Sequence, residues 1–143
     1  MRDLEIAKRA LRGRELSLVV VKCGRVIFES NLQGLSGLIL AIDTLGLNLH
    51  NSSVADKVVG KAAALLLAYS HISEVYAEVI SKDGLETLDE YGIRVEYASL
   101  IPRILNRRGE DICPFEKLSQ NLSSPEEAYK ILKAHVKWYL GAS

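Results

Sequence analysis

The stretch Val75-Tyr76-Ala77-Glu78-Val79-Ile80, followed by Gly84-Leu85-Glu86-Thr87-Leu88-Asp89-Glu90-Tyr91-Gly92 and then Ile93-Arg94-Val95-Glu96-Tyr97, decides the fold. The first and last runs are rich in β-branched and aromatic residues and read as strands. Between them Leu85 and Leu88 repeat at helical spacing, and Gly92 stands where a helix ends on a left-handed residue. A strand, a short helix and a second strand in this order pair in parallel through a right-handed crossover.

Working outward, residues 56–69 are dense in alanine and leucine on nearly every side and predict a helix buried over most of its surface. Residues 48–53 read as a polar loop. Residues 34–46 place Leu35, Leu38, Ile39, Ile42 and Leu45 on one helical face between glycines. Residues 16–22 and 25–29 are β-branched runs joined by Cys23-Gly24, a two-residue connection that suits a tight antiparallel hairpin. Residues 3–12 form an amphipathic helix through Leu4, Ala7, Ala10 and Leu11. Downstream, one helix begins at Cys113-Pro114. Another begins at Ser124-Pro125-Glu126-Glu127, with serine capping, proline in the first turn and Glu127 completing a capping box. Its stripe is Ala128, Ile131, Leu132, Val136 and Tyr139. The expected order is α-β-β-α-α-β-α-β-α-α, a single α/β domain with four strands.

A chain of 143 residues, 48% apolar and 25% charged, buries a core large enough to need no disulfide or metal staple. Eighteen basic residues balance eighteen acidic ones. The densest basic group, Arg103, Arg107 and Arg108, is followed at once by Glu110 and Asp111, so no stripe for nucleic acid forms. Cys23 and Cys113 are not a disulfide framework, and the N-terminus has no signal-peptide pattern, which places the chain in the cytoplasm. No apolar run approaches the ~20 residues that span a bilayer.

The stretches Leu18-Val19-Val20-Val21-Lys22, Ala55-Asp56-Lys57-Val58-Val59-Gly60-Lys61-Ala62-Ala63, Glu74-Val75-Tyr76-Ala77-Glu78-Val79-Ile80 and Asp111-Ile112-Cys113-Pro114-Phe115-Glu116-Lys117 resemble the family known as domain of unknown function 1893. That family is a branch of the cytidine-deaminase-like fold. The resemblance implies a three-layer α-β-α domain with a mixed sheet of four or five strands and an antiparallel first hairpin. It brings no established activity with it. Zinc deaminases carry H-x-E at one helix start and P-C-x-x-C at the next. Here the corresponding starts read Asp56-Lys57-Val58 and Ile80-Ser81-Lys82-Asp83-Gly84. His50, His71, His135, Cys23 and Cys113 lack the short spacings of a metal site elsewhere, so neither metal nor cofactor is expected.

Asp56, Lys57 and Lys61 are expected at the N-terminal end of the buried helix, with the lysines four residues apart on one face. Backbone N–H groups, the positive end of the helix and two ammonium groups would together hold a phosphate or carboxylate. The alternative is an Asp56 N-cap with solvated lysines. Gly60-Lys61 is not a P-loop, because Ala55 and Ala62 replace the first glycine and the hydroxyl residue. No G-x-S-x-G or G-x-G-x-x-G is present.

Cys113, at a helix N-cap with Glu116 at the third position, reads either as an activated nucleophile with an acid or base beside it, or as a plain cap followed by an ordinary glutamate. Arg107, in the polar loop before it, could clamp an anionic group. Trp138 and Tyr139 suit packing or contact with a second copy. Two functions follow. One is a metal-free site for a small, anionic, nucleotide-like molecule, with Asp56, Cys113 and Glu116 as catalytic candidates and Lys57, Lys61, Ser81 and Arg107 as ligand contacts. The other is a non-catalytic sensor or interaction domain that keeps only the fold.

Overall fold

The computed structural model describes residues 1–142, and side chains through residue 136. Trp138 and Tyr139, expected to pack or to contact a second copy, therefore lie outside the described side chains. The elements are α1 (Asp3–Gly13), β1 (Leu18–Lys22), β2 (Arg25–Ser30), α2 (Ser36–Leu45), a 3-10 turn (Gly46–Leu49), β3 (Ser53–Val59), α3 (Lys61–Tyr69), β4 (Glu74–Ser81), α4 (Lys82–Glu90), β5 (Arg94–Ile101), α5 (Pro114–Ser119) and α6 (Pro125–Ala142).

The sheet runs β2-β1-β3-β4-β5. The β1/β2 and β1/β3 pairs are antiparallel, while β3/β4 and β4/β5 are parallel. The first hairpin turns through Cys23 and Gly24, both at positive φ (51° and 78°) as a type I′ turn requires. Alternation along β1 sends Val19 and Val21 to one face and Leu18 and Val20 to the other, and all four are buried. Both faces must therefore be covered. On one, α1 lays Leu4, Ala7 and Leu11 over Val19, Val21, Ala55 and Tyr76. On the other, residues of α2, α3, α4 and α6 close the larger core, with Leu66, Leu67, Leu88 and Leu132 almost completely buried.

The structure corrects one element. Residues 53–59 are a central strand, so residues 56–59 do not begin the expected helix; five strands result, the upper number the family resemblance implies and one more than the periodicity counted, and α3 starts only at Lys61. The physical reason is Gly60, whose extended conformation (φ −106°, ψ −168°) breaks the chain between a β-branched run and an alanine-leucine run. Both runs are apolar, so periodicity did not separate them. The residues expected as loop at 48–53 include the end of the 3-10 turn and the first residue of β3. Among the described residues no helix is long and apolar enough to cross a membrane.

Candidate functional site

Parallel strands bring β3 and β4 to an end side by side, so the N-termini of α3 and α4 rise together at the carboxyl edge of the sheet. In open α/β sheets this edge is where ligands bind. The helix starts are Gly60-Lys61-Ala62-Ala63 and Ser81-Lys82-Asp83-Gly84. They approach so closely that a Cβ added at Gly84 would lie 2.8 Å from Val59 O and 3.2 Å from Gly60 Cα. Both contacts are with backbone, which does not yield as a side chain does. Ser81, almost fully buried, accepts a hydrogen bond at its Oγ from Gly84 N–H at 3.0 Å and caps α4.

The first amides of α3 are capped from a distance. Glu116, 55 residues along the chain on α5, accepts a hydrogen bond from Lys61 N–H at Oε1 (2.7 Å) and from Ala62 N–H at Oε2 (3.0 Å). Both carboxylate oxygens are thus used on a helix N-terminus, an arrangement that charge and dipole both favour. Gly60 makes room for it, since a Cβ there would sit 2.1 Å from Glu116 Oε1 and 2.4 Å from Cδ. Burial raises the Glu116 pKa above the ordinary glutamate value, and nearby Asp83 pushes the same way; the two amide bonds and Lys61 oppose them.

Cys113 is the N-cap of α5, with Pro114 at N1, as the sequence indicates. Its thiol makes no capping bond, but its carbonyl accepts from Glu116 N–H (2.9 Å) and Lys117 N–H (3.0 Å), and so starts the turn that presents Glu116. Glu116 is accordingly neither the ordinary third-position glutamate nor a partner of its own helix start. The segment before Cys113 is a small hairpin: Leu105 bridges Ile112, Asn106 N–H donates to Asp111 O at 2.7 Å, and Lys117 pairs with Asp111. Arg107 is exposed on this hairpin.

Lys61 and Glu116 therefore meet at the start of α3, and Ser81 caps the adjoining start of α4, with Gly60, Asp83 and Gly84 beside them. Asp56 and Lys57 do not share that position. They lie within β3, so Asp56 is no N-cap, and Lys57, exposed on the strand, does not share a helical face with Lys61. Asp56 accepts a long bond from Val58 N–H (3.4 Å), and burial of its carboxyl pushes the pKa up to about 7 against the backbone N–H groups of Val58 and Lys57. The spacing Gly60 to Gly84 held a signal, because glycine at two helix starts that follow parallel strands points to close backbone approach.

The deaminase resemblance assigns zinc ligands to these same two helix starts. With α3 beginning at Lys61, the first set of positions is Lys61-Ala62-Ala63 rather than Asp56-Lys57-Val58. No imidazole or thiolate stands there, and at residue 84 a cysteine Cβ would collide with backbone. The residues present do not fit the deaminase zinc. Among the described residues no three histidine, cysteine, aspartate or glutamate side chains gather as a metal site.

Comparison with solved structures gives a DUF1893 family protein from Thermotoga maritima at TM-score 0.86 and 38% identity, covering 93% of this chain and 89% of that one. Fainter likenesses are to a dCMP deaminase from the cyanophage S-TIM5 (TM-score 0.48, 14% identity, 69% of this chain and 94% of that one). A diaminohydroxyphosphoribosylaminopyrimidine deaminase/5-amino-6-(5-phosphoribosylamino)uracil reductase from Thermotoga maritima is similarly distant (TM-score 0.49, 21% identity, 81% and 38%). No curated protein sequence matches this chain. The family model described as "Domain of unknown function (DUF1893)" matches residues 6–136. The chain belongs to the DUF1893 family.

Proposed function

We propose that this protein is a zinc-independent binding domain in which a small oxyanion, of phosphate or nucleotide type, competes with the Glu116 carboxylate for the first amides of α3. The observation that carries this reading is the paired bond from Lys61 N–H and Ala62 N–H to the two oxygens of Glu116. A carboxylate held in that way is itself an anion on an anion-binding helix end. Burial disfavours its charge, as the raised pKa reflects, and so works against the two amide bonds. Lys61 adds a positive charge at the same helix start. Cys113 serves through its backbone carbonyl, which orients Glu116, and its thiol has no assigned reaction. The two free cysteines suit a reducing cytoplasm.

Calorimetric titration of the wild-type chain and of Glu116→Ala with inorganic phosphate, pyrophosphate and nucleoside monophosphates tests the reading. Removing the competing carboxylate is expected to tighten oxyanion binding by about tenfold or more, since the binding-competent state no longer has to be populated against Glu116. No binding to either protein at millimolar oxyanion would end this reading. It would favour the second one, a partner-binding domain that keeps the fold, which the same observation supports because Glu116 already satisfies the helix end.

A further inference from the structure

At the opposite, amino-terminal edge of the sheet, the segments leading into β3 and β4 bring two histidines together. His50 follows the 3-10 turn and His71 follows α3, and their rings lie 4.6 Å apart between centroids at an interplanar angle of 57°. Two of the chain's three histidines thus touch, although 21 positions separate them. The contact does not depend on two independent loops. Asn51 N–H donates to His71 O at 2.9 Å, Ser73 N–H and Ser73 Oγ both donate to Ser52 O at 3.0 Å, and His50 N–H donates to Leu47 O at 3.1 Å. Asn51 and His71 both hold positive φ, 64° and 53°, the left-handed region that asparagine and histidine enter more readily than other non-glycine residues, and so turn the two segments toward each other.

We propose that His50 and His71 bind an exchangeable transition-metal ion of the imidazole-seeking kind, such as Zn²⁺, Ni²⁺ or Cu²⁺, at this edge. Two imidazoles sharing one ion at about 2.1 Å per nitrogen place their ring centres about 4.6 Å apart for a right angle between the ligands and about 5.3 Å apart for a tetrahedral one. The observed separation matches the right-angle end, the ligand angle of square-planar and octahedral Ni²⁺ and Cu²⁺ sites, and the rings are tilted rather than stacked face to face. His71 is exposed and His50 half-buried, so an ion has access and the unligated positions can be taken by water. Both residues line a cleft of about 690 Å³ whose wall also includes Glu126, Asp43 and Lys133. Asp43 and Lys133 are paired with each other at 3.0 Å, and Tyr129 donates to Asp43 at 2.5 Å. With two protein ligands and no third among the described residues, the ion is held in the micromolar range, not locked as a structural ion. Because the pair sits at the edge away from Glu116, this inference stands apart from the oxyanion reading.

The test is titration of the full chain with ZnCl₂ and NiCl₂ in a non-chelating buffer, using wild type, His50→Gln, His71→Gln, the double variant and His135→Gln, each checked by circular dichroism. One ion per wild-type chain is expected. Affinity should fall by at least about tenfold in each of the single His50 and His71 variants and stay unchanged in His135→Gln. MgCl₂ should not compete, since imidazole does not select Mg²⁺. Zinc bound equally by the folded double variant, or no binding to wild type at submillimolar metal, overturns the proposal.

Discussion

Gly60→Ala should behave as a way of expelling Glu116, and its cost should vanish once Glu116 is gone. The new Cβ would fall 2.1 Å from Oε1 and 2.7 Å from Oε2, closer than any real contact. The obstacle is the far end of a side chain, so the carboxylate leaves while the backbone stays. Two charge-assisted bonds are lost, each worth about 1.5 kcal/mol. The two amides and the carboxylate regain water as partners once Glu116 leaves, so the net loss is about 2 kcal/mol. Glu116→Ala loses the same bonds and should cost about as much. The double variant should then also cost about 2 kcal/mol, not about 4, giving a coupling near 2 kcal/mol. Urea unfolding of the four proteins measures it, and each destabilised variant should melt about 4–8 °C lower. Gly84→Ala is the contrast. Its Cβ meets Val59 O and Gly60 backbone, so its cost, about 1–3 kcal/mol from overpacking, should persist in the Glu116→Ala background. Additivity of Gly60→Ala and Glu116→Ala within about 0.5 kcal/mol would refute the reasoning, because Gly60 would then matter for something other than admitting the carboxylate.

Other outcomes follow from the same contacts. Asp56, with its folded pKa raised to about 7, takes up a proton on folding between the ordinary aspartate pKa and 7. Its penalty is absent at pH 3, grows as pH rises and is complete above 7. Asp56→Asn should therefore gain stability relative to wild type at pH 8 and little at pH 4, read from urea unfolding at both values. Tyr129→Phe removes the hydroxyl that donates to Asp43 and accepts from Lys133 Nζ at 3.0 Å, while leaving the 4.5 Å stack on Tyr69 in place. A loss of about 0.5–1.5 kcal/mol in chemical unfolding is expected, and a neutral result would mean that the Asp43–Lys133 pair suffices. Cys113→Ser should leave oxyanion binding unchanged and stabilise by up to about 1 kcal/mol, because a hydroxyl can cap α5 where the thiol does not. A large loss of stability in that variant would show that the thiol itself packs or bonds in a way the backbone role omits.

How much of this was legible in the sequence depends on the distance over which each feature acts. The crossover from β4 through α4 to β5 could be read because each element keeps its own period and Gly92 marks a stop; Gly92 does adopt positive φ, 71°. Ser81 and Cys113 could be placed at helix starts because caps are local. Asp56 and Lys57 were misplaced because β3 is central, buried through Ser53, Val54 and Ala55 and exposed only at Lys57 and Val58, so it lacks the polar alternation that identifies a half-exposed strand. With Val54 and Ala55 leading into it and α3 following after a single glycine, the stretch read as one apolar helix. Glu116 could be singled out by its place near Cys113, yet its partners on α3 lie 55 residues away, and only the packing of α5 against that helix brings them together. His50 and His71 lay outside any spacing rule because their approach is set by two adjacent turns of the sheet, not by a motif.

The most direct measurement is the response of the Lys61 and Ala62 backbone amides, followed by ¹⁵N–¹H NMR while inorganic phosphate is titrated into wild type and Glu116→Ala at constant pH. If Glu116 occupies an oxyanion position, these two amides shift most, and they saturate at lower phosphate in Glu116→Ala than in wild type. Phosphate shifts confined to other parts of the chain, or Lys61 and Ala62 amides that do not move when Glu116 is removed, would contradict it.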